Sequence, residues 1–273
     1  MRKLLNFCFE IEFYLKVAIV CTIFQQLCYL VLHGSQLNFI TQVILYWLVG
    51  SISFYGLGLF IEKVIKKNEP LREKLNARVK EVNKKPYPCF TIKGIIIGEI
   101  KSFIAVVIIL AIAPEMHRGN SLILNFGWFL IRIFLADLCF YLAHRSLHQK
   151  IGRKIHLKHH EYADSSSFVA GHKSLAEYII VTITDLLPIF IFGYDLNQLL
   201  AWTIVGNAYN LEGHSSLSIF FISSDFHDLH HTCYQRNYGI QGFWDRIFHT
   251  LNTPTKKSGL MFPVASMENK LYP

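Results

Sequence analysis

Long apolar runs separated by short polar segments dominate this sequence. Four of the runs approach the length of about 20 residues that a helix needs to cross a bilayer. They occupy residues 13–32, 37–61, 92–113 and 122–143. The basic start of the chain is followed by Glu10 and Glu12 rather than by a cleavable apolar core, so we expect the first run to be an uncleaved transmembrane helix.

A fifth apolar region, residues 178–205, is interrupted by polar and helix-breaking residues. These are Asp185, Pro188, Gly193, Tyr194 and Asp195. The region could form the two short helices of a re-entrant hairpin, or one kinked span. The sequence therefore predicts an all-α fold, a polytopic membrane helical bundle of about four spans plus a re-entrant or kinked hairpin.

Composition and charge agree with a membrane protein. Apolar residues make up 52% of the chain and charged residues 17%, with a formal net charge of +8. Residues 63–101 hold eleven Lys or Arg residues, whereas the connection between the first two runs holds none. By the positive-inside rule, this basic segment and the residues just after the fourth run lie in the cytoplasm. The positive charge therefore needs no nucleic acid to explain it.

Histidine is concentrated in polar segments next to the apolar runs. The chain has thirteen histidines, and eight of them lie in one H-x-x-x-H and two H-x-x-H-H motifs. They are His144 and His148; His156, His159 and His160; and His227, His230 and His231. Residues three and four apart share one face of a helix, so each motif directs several imidazoles to one place.

Crowded imidazoles repel each other when protonated and lose solvation when neutral, so we expect them to bind metal. Neutral imidazole suits iron, zinc, copper and nickel. Because one structural zinc ion takes four ligands, eight or more histidines indicate two metal ions in a cytosolic, histidine-rich metal cap.

Three other kinds of metal site lack their motifs in this chain. The H-E-x-x-H of zinc proteases begins at His160 and Glu161, but Asp164 stands in place of the second histidine. The E-x-x-H pairs of carboxylate di-iron bundles and the C-x-x-C-H of covalent haem do not occur. The histidine motifs therefore indicate a different class of site.

Four segments resemble the fatty acid hydroxylase/sterol desaturase superfamily, within a region of roughly residues 120–250. They are ADLCFYLAHRSLH (136–148), HLKHHEY (156–162), HDLHH (227–231) and NYGIQGFWDRIFHT (237–250). The resemblance implies two iron ions in a histidine cage, with O2 as co-substrate and electrons used to hydroxylate or desaturate lipids. It also implies His214, in the segment EGHSS, as a ninth metal ligand.

Carboxylates near the motifs are candidates for supporting the site. Asp137 lies two helical turns before His144 on the same face, where it could hydrogen-bond a ligand imidazole, or instead pair with Arg132 or make another structural contact. A carboxylate inside a span normally faces the protein interior. Asp245 and Arg246 are expected to form an ion pair near the site.

Two more residues are candidates for a supporting role. Asn210 precedes His214 by four residues and could approach the metal directly or through water. His172 resembles a recurrent histidine of the family, although Lys173 stands where a proline often follows it.

Together these features predict an enzyme, an integral-membrane di-iron hydroxylase or desaturase acting on a sterol or a fatty acyl chain in lipid biosynthesis. The alternatives are a zinc-dependent membrane lipid hydrolase, a metal transporter or binding protein, and a pseudoenzyme that keeps the metals for stability. The chain has no evident haem, flavin or nicotinamide motif, so the electrons must come from an external donor, a cytochrome b5-like protein or a reductase.

The expected organisation has three parts. Residues 1–115 form an N-terminal transmembrane and basic linker region, residues 116–255 the catalytic domain, and residues 256–273 a C-terminal tail. The active site lies on the cytosolic side of the endoplasmic reticulum if the chain is eukaryotic, or of the inner membrane if it is bacterial.

Overall fold

The computed structural model describes most of the chain up to residue 252. The described residues are 2–32, 37–69, 73, 76, 84–88, 91–116, 119–163, 166–215, 220–221 and 224–252. Five helices among them are long and apolar enough to cross a membrane: Glu10–Leu32, Phe39–Val64, Ile92–Ile112, Leu122–Leu147 and Leu175–Phe192. The predicted all-α membrane bundle is confirmed, and the chain is an integral membrane protein. The expected tail, residues 256–273, lies outside the described residues.

The helices follow the apolar runs of the sequence closely. They are α1 (Arg2–Leu32), α2 (Phe39–Lys67), α3 (Ile92–Ile112), α4 (Leu122–Leu147), α5 (Arg153–His156), α6 (Leu175–Phe192), α7 (Leu196–Gly213), α8 (Ser224–Cys233) and α9 (Phe243–Ile247). Polar N-cap side chains fix where several of them begin, because each accepts a hydrogen bond from an otherwise free backbone N–H. These caps are Thr91, Ser121, Ser174 and Asp195.

The fifth apolar region forms a hairpin of two helices rather than one kinked span. The turn lies at Gly193, which has a φ of 78° and has no room for a side chain, since an added Cβ would lie 2.3 Å from Met116 Cγ. Asp185 and Pro188, expected to interrupt the region, lie inside α6. Proline is tolerated in membrane helices because neighbouring groups satisfy the freed carbonyl.

Helix α7 occupies the centre of the bundle. It packs against α1 and α2, while α4 packs against α1 and α6, and α3 packs against α2. Its side chains Leu199, Leu200 and Trp202 are almost completely buried. Because protein surrounds α7, this helix carries polar residues that a lipid-facing helix could not.

Three buried amides link the central helices inside the bilayer region. The Asn125 side chain donates to Gln25 Oε1 over 3.0 Å, and the Gln198 side chain donates to Asn125 Oδ1 over 2.7 Å. These two hydrogen bonds join α1, α4 and α7. Each amide finds a partner within the protein, as is required where no water can provide one.

One end of the bundle gathers the groups that surround the histidines. The carboxylate of Glu10, in α1, accepts two hydrogen bonds from Arg246, in α9, over 2.9 and 2.5 Å. The sequence predicted an ion pair between Asp245 and Arg246. In the structure, Arg246 pairs with Glu10 instead. Glu62, near the end of α2, accepts from the backbone N–H of Ser167 over 2.9 Å. The basic connection between α2 and α3 starts and finishes at this same end.

Candidate metal centre

Nine histidines converge at this end of the bundle. His144 lies in the last turn of α4, and His148 caps it. The next three occupy α5 and the short 3-10 turn after it, His214 caps α7, and the last three lie on α8. The structure thus brings together every histidine that the sequence analysis proposed as a ligand, and all but the half-buried His148 are buried.

The histidines form two groups with converging nitrogen atoms. The first cluster comprises His144, His148, His156, His160 and His230, and the second cluster comprises His159, His214, His227 and His231. Within each cluster, one ring nitrogen of every histidine lies within 4.8 Å of the others. Each H-x-x-H-H motif contributes to both clusters, and the rings of His160 and His231 meet between them with centroids 4.4 Å apart.

Three histidines of the first cluster donate from their outward-facing ring nitrogens to fixed oxygen atoms. Nδ1 of His144 lies 2.7 Å from the Tyr238 carbonyl, and Nδ1 of His156 lies 2.9 Å from Glu177 Oε1. Nδ1 of His230 lies 2.7 Å from the Arg236 carbonyl. Because these oxygens only accept, each Nδ1 carries the hydrogen, and a neutral ring then presents a lone pair at Nε2.

The second cluster uses the same arrangement. Nδ1 of His214 donates to the carbonyl of Asn210 over 2.8 Å. This carbonyl belongs to the last turn of α7, where carbonyls have no partner within the helix. Nδ1 of His159 donates to the carbonyl of His172 over 3.3 Å. Asn210 and His172 therefore orient ligand candidates through their main chains, whereas the sequence analysis considered their side chains. The His172 ring contacts Glu161 at 3.0 Å instead.

Lone pairs face each other at short range inside both clusters. Nε2 of His144 lies 3.0 Å from Nε2 of His156, and Nε2 of His159 lies 3.2 Å from Nε2 of His214. Two facing lone pairs repel unless a cation lies between them. Nitrogen atoms bound to one metal ion are about 3–4 Å apart, given metal–nitrogen distances of about 2.0–2.1 Å. The clusters therefore have the chemistry and the size of metal sites.

Burial favours the neutral form of several of these rings at physiological pH. Burial lowers the pKa of His148 and of His227 to about 3, with further lowering from neighbouring charges. Burial also lowers the pKa of His159, His214 and His230 well below the usual value of histidine. A proton is therefore not the cation expected between two facing ring nitrogens. Neutral imidazole is the form that binds metal.

Two carboxylates organise the loop that holds His144. Asp245 accepts from the backbone N–H groups of Tyr238 and Gly239, both over 2.7 Å. Asp137 accepts from the N–H of Ile240 over 2.7 Å and from the hydroxyl of Tyr14. Asp137 therefore supports the site through this loop. Its partners are neither a ligand imidazole nor Arg132, and they correspond to the other structural contact that the sequence left open.

Glu177 is a functional candidate that the sequence analysis missed. It lies in the first turn of α6, is 1% exposed, and orients His156 directly. Its sequence context, S-x-x-E from Ser174, is typical of a helix capping box, and Ser174 does accept from the Glu177 N–H over 3.1 Å. The motif gives no sign that the carboxylate contacts a histidine.

A cavity leads from the apolar interior to the clusters. Its volume is about 660 Å³, and it is bounded by α2, α3, α4, α6 and α7. Its lining includes His156, His159 and His214 at one end and apolar residues such as Ile109 and Leu186 elsewhere. This is the size range of pockets for small organic ligands, so the cavity has room for such a molecule beside the histidines.

Comparisons with known proteins agree with the site. The sequence profile described as fatty acid hydroxylase matches residues 129–250, which include all nine histidines. A putative methylsterol monooxygenase of Dictyostelium discoideum is 34% identical over 127 residues, 42% of this chain and 48% of that protein. Methylsterol monooxygenase 1 of Gallus gallus is 31% identical over 127 residues, 42% of this chain and 43% of that protein.

A further relative has a different name. Fatty acid hydroxylase domain-containing protein 2 of Homo sapiens is 27% identical over 136 residues, 46% of this chain and 40% of that protein. The chain thus aligns with less than half the length of these relatives. No solved structure matches the chain. The family model and the named relatives thus support a relationship of residues 129–250, which carry both histidine clusters, to the fatty acid hydroxylase/sterol desaturase superfamily.

Proposed function

We propose that this protein is an O2-dependent oxidoreductase that uses two iron ions to hydroxylate or desaturate a membrane lipid, a sterol or a fatty acyl chain, in lipid biosynthesis. The observation that carries the proposal is the pair of all-histidine clusters at the end of an apolar cavity. The names of the relatives, which include methylsterol monooxygenase and fatty acid hydroxylase, support oxidation of a lipid.

The clusters favour this function over two of the alternatives, a zinc-dependent hydrolase and a metal transporter. A catalytic zinc site in a hydrolase uses three protein ligands and one open position, whereas the clusters offer five and four histidines. A transporter would need ligands along a path across the bilayer, and these histidines lie at one end of the bundle.

Iron held by imidazole, supplied with O2 and electrons, provides the oxidising power to remove hydrogen from an unactivated C–H bond. The protein positions the ligands and the substrate. Carbonyl and carboxylate oxygens fix the orientation of five imidazoles through their Nδ1 atoms. The cavity holds an apolar substrate away from water, with the carbon to be oxidised near the clusters.

The basic end of the bundle indicates which face of the membrane the clusters lie on and which kind of electron donor reaches them. The positive-inside rule puts the clusters on the cytosolic face, because they share an end with the basic connection between α2 and α3. That face would receive electrons from a cytochrome b5-like protein or a reductase. The membrane would be the endoplasmic reticulum in a eukaryote or the inner membrane in a bacterium, with residues 116–255 as the catalytic domain.

The function can be tested on purified protein with isotopic dioxygen. We expect two iron ions per chain, one for each cluster, and donor-dependent oxidation of a lipid extract. Hydroxylation would incorporate labelled oxygen, and desaturation would consume O2 without incorporation. Chelation should abolish turnover, and iron but not zinc should restore it. Lipid turnover that continues without O2 and reductant would instead support a hydrolase.

Replacement of Glu177 by alanine should weaken the first cluster. His156 then loses the acceptor that fixes its ring, and loss of such a partner typically lowers metal affinity or activity about 10–100-fold. Iron retention during dialysis against a graded chelator measures the effect. Glu177→Gln is the matched control, since its amide oxygen can still accept from Nδ1. Equal iron retention by Glu177→Ala and the native protein would contradict the role.

A further inference from the structure

Lys173 lies where the cavity meets the second cluster. It follows His172, whose carbonyl accepts from the His159 ring, and it precedes Ser174, the N-cap of α6. Its side chain lines the cavity and is half-buried. Its charge lowers the pKa of His159, His214 and His227, which are three of the four members of the second cluster. A cation therefore stands directly beside the candidate metal site.

No described residue pairs with this ammonium group. Burial lowers the pKa of Lys173, and the charges of Glu177 and Asp185 oppose that effect without forming an ion pair. Glu177 accepts from His156 through Oε1 and keeps Oε2 without a hydrogen-bond partner among the described residues, while Asp185 accepts from the Trp202 indole over 3.2 Å. A cation that is partly withdrawn from water and left without a partner is unfavourable.

The two clusters increase the excess of positive charge. The ligand candidates of both clusters are histidines alone, so neither cluster contributes a carboxylate ligand to offset a bound metal ion. Metal ions in the clusters and the ammonium group would thus lie together at one end of the cavity. An anion that enters the cavity there would interact favourably with all of them.

We propose that Lys173 binds the anionic headgroup of the substrate, a carboxylate or a phosphate on a single-chain lipid. The proposal rests on the function proposed above and narrows its substrate class. The headgroup would lie beside the second cluster, and the hydrocarbon chain would extend along Ile95, Ile109 and Leu186. Oxidation would consequently occur on a carbon close to the headgroup and not near the far end of the chain.

Binding of radiolabelled probes to detergent-purified protein tests this inference. The probes are palmitate, 1-palmitoyl lysophosphatidate and 1-hexadecanol, which compare a carboxylate, a phosphate and a neutral headgroup on the same chain length. The native protein should prefer at least one anion over the alcohol. Lys173→Gln should weaken binding of that anion about tenfold or more, as expected for loss of a charge-assisted hydrogen bond, and should leave the alcohol unchanged.

Two further variants control for charge and for folding. Lys173→Arg keeps the cation and should retain the preference, while Lys154→Gln removes an exposed lysine outside the cavity lining and should behave like the native protein. Equal affinity of the native protein for all three probes would overturn the proposal, even if the variants fail to fold. If the Lys173→Gln variant loses iron but keeps the probe preference of the native protein, the proposal is overturned. Lys173 would then act through an ion pair with Glu177 and not through the substrate.

The assay also separates this inference from the proposed function. Binding is measured without O2 or reductant, and iron is measured on the same preparations. Selective anion binding by a protein that holds no iron would contradict only the proposed function. Iron-dependent oxidation with no preference among headgroups would contradict only the role of Lys173.

Discussion

Replacement of His230 by alanine is expected to remove the metal from the first cluster and to lower lipid oxidation more than about 100-fold, beyond the loss typical of groups that only orient a ligand. His230 is fully buried, and its Nε2 lies 3.2 Å from Nε2 of His148. Its ring also contacts that of His227, in the second cluster, with centroids 5.7 Å apart. The substitution therefore removes a ligand candidate at the junction of both clusters.

Iron content per chain and donor-dependent oxidation, measured on the same sample, check this expectation. His249→Asn is the matched control, because His249 is exposed and its φ of 58° is one that asparagine tolerates better than alanine. The control should keep its iron and its activity. If the His230→Ala variant inserts into membranes to the same extent as the native protein and turns over normally, His230 is not a metal ligand.

Replacement of Gly239 by alanine is expected to disrupt the loop that orients His144. An added Cβ would lie 2.9 Å from Asp245 Oδ2 and 3.2 Å from Asp137 Oδ1, the oxygens that accept from the N–H groups of Gly239 and Ile240. Loss of two hydrogen bonds to charged groups, at roughly 1.5–3 kcal/mol each, should lower the free energy of unfolding by about 3 kcal/mol or more.

Thermal unfolding in detergent should show this change as a fall in Tm of roughly 6–12 °C. The first cluster should also retain less iron, since the Tyr238 carbonyl no longer holds the His144 ring in place. Gly127→Ala provides the control, because no atom lies within 4 Å of the added Cβ and alanine favours the helix. Equal Tm values for the two variants would show that the loop tolerates a side chain.

The sequence predicted the helical bundle and the gathering of its histidines well, for physical reasons. Apolar runs of spanning length have few alternative structures, and H-x-x-H-H spacing places rings on one face. Pro188 was the exception, because α6 continues through it although proline removes a backbone donor. In the bundle, packing against neighbouring helices outweighs this local preference.

The supporting atoms of the site were much harder to predict. The carboxylate of Glu177 contacts His156, 21 positions away, and this contact depends on how α5 packs against α6. Asp137 was recognised as a buried carboxylate, but its partners, Tyr14 and Ile240, lie more than 100 positions away in sequence. Spacing patterns report neighbours within one helix and carry no information on such distant pairs.

Main-chain carbonyls, at residues 172, 210, 236 and 238, orient four of the nine histidines. Every amino acid offers the same carbonyl oxygen, so these four hydrogen bonds do not themselves require a particular side chain. Insertions or deletions of a single residue would move the acceptor itself. Residue type at positions 210 and 236 should therefore vary among homologues while the chain length around all four carbonyls stays fixed.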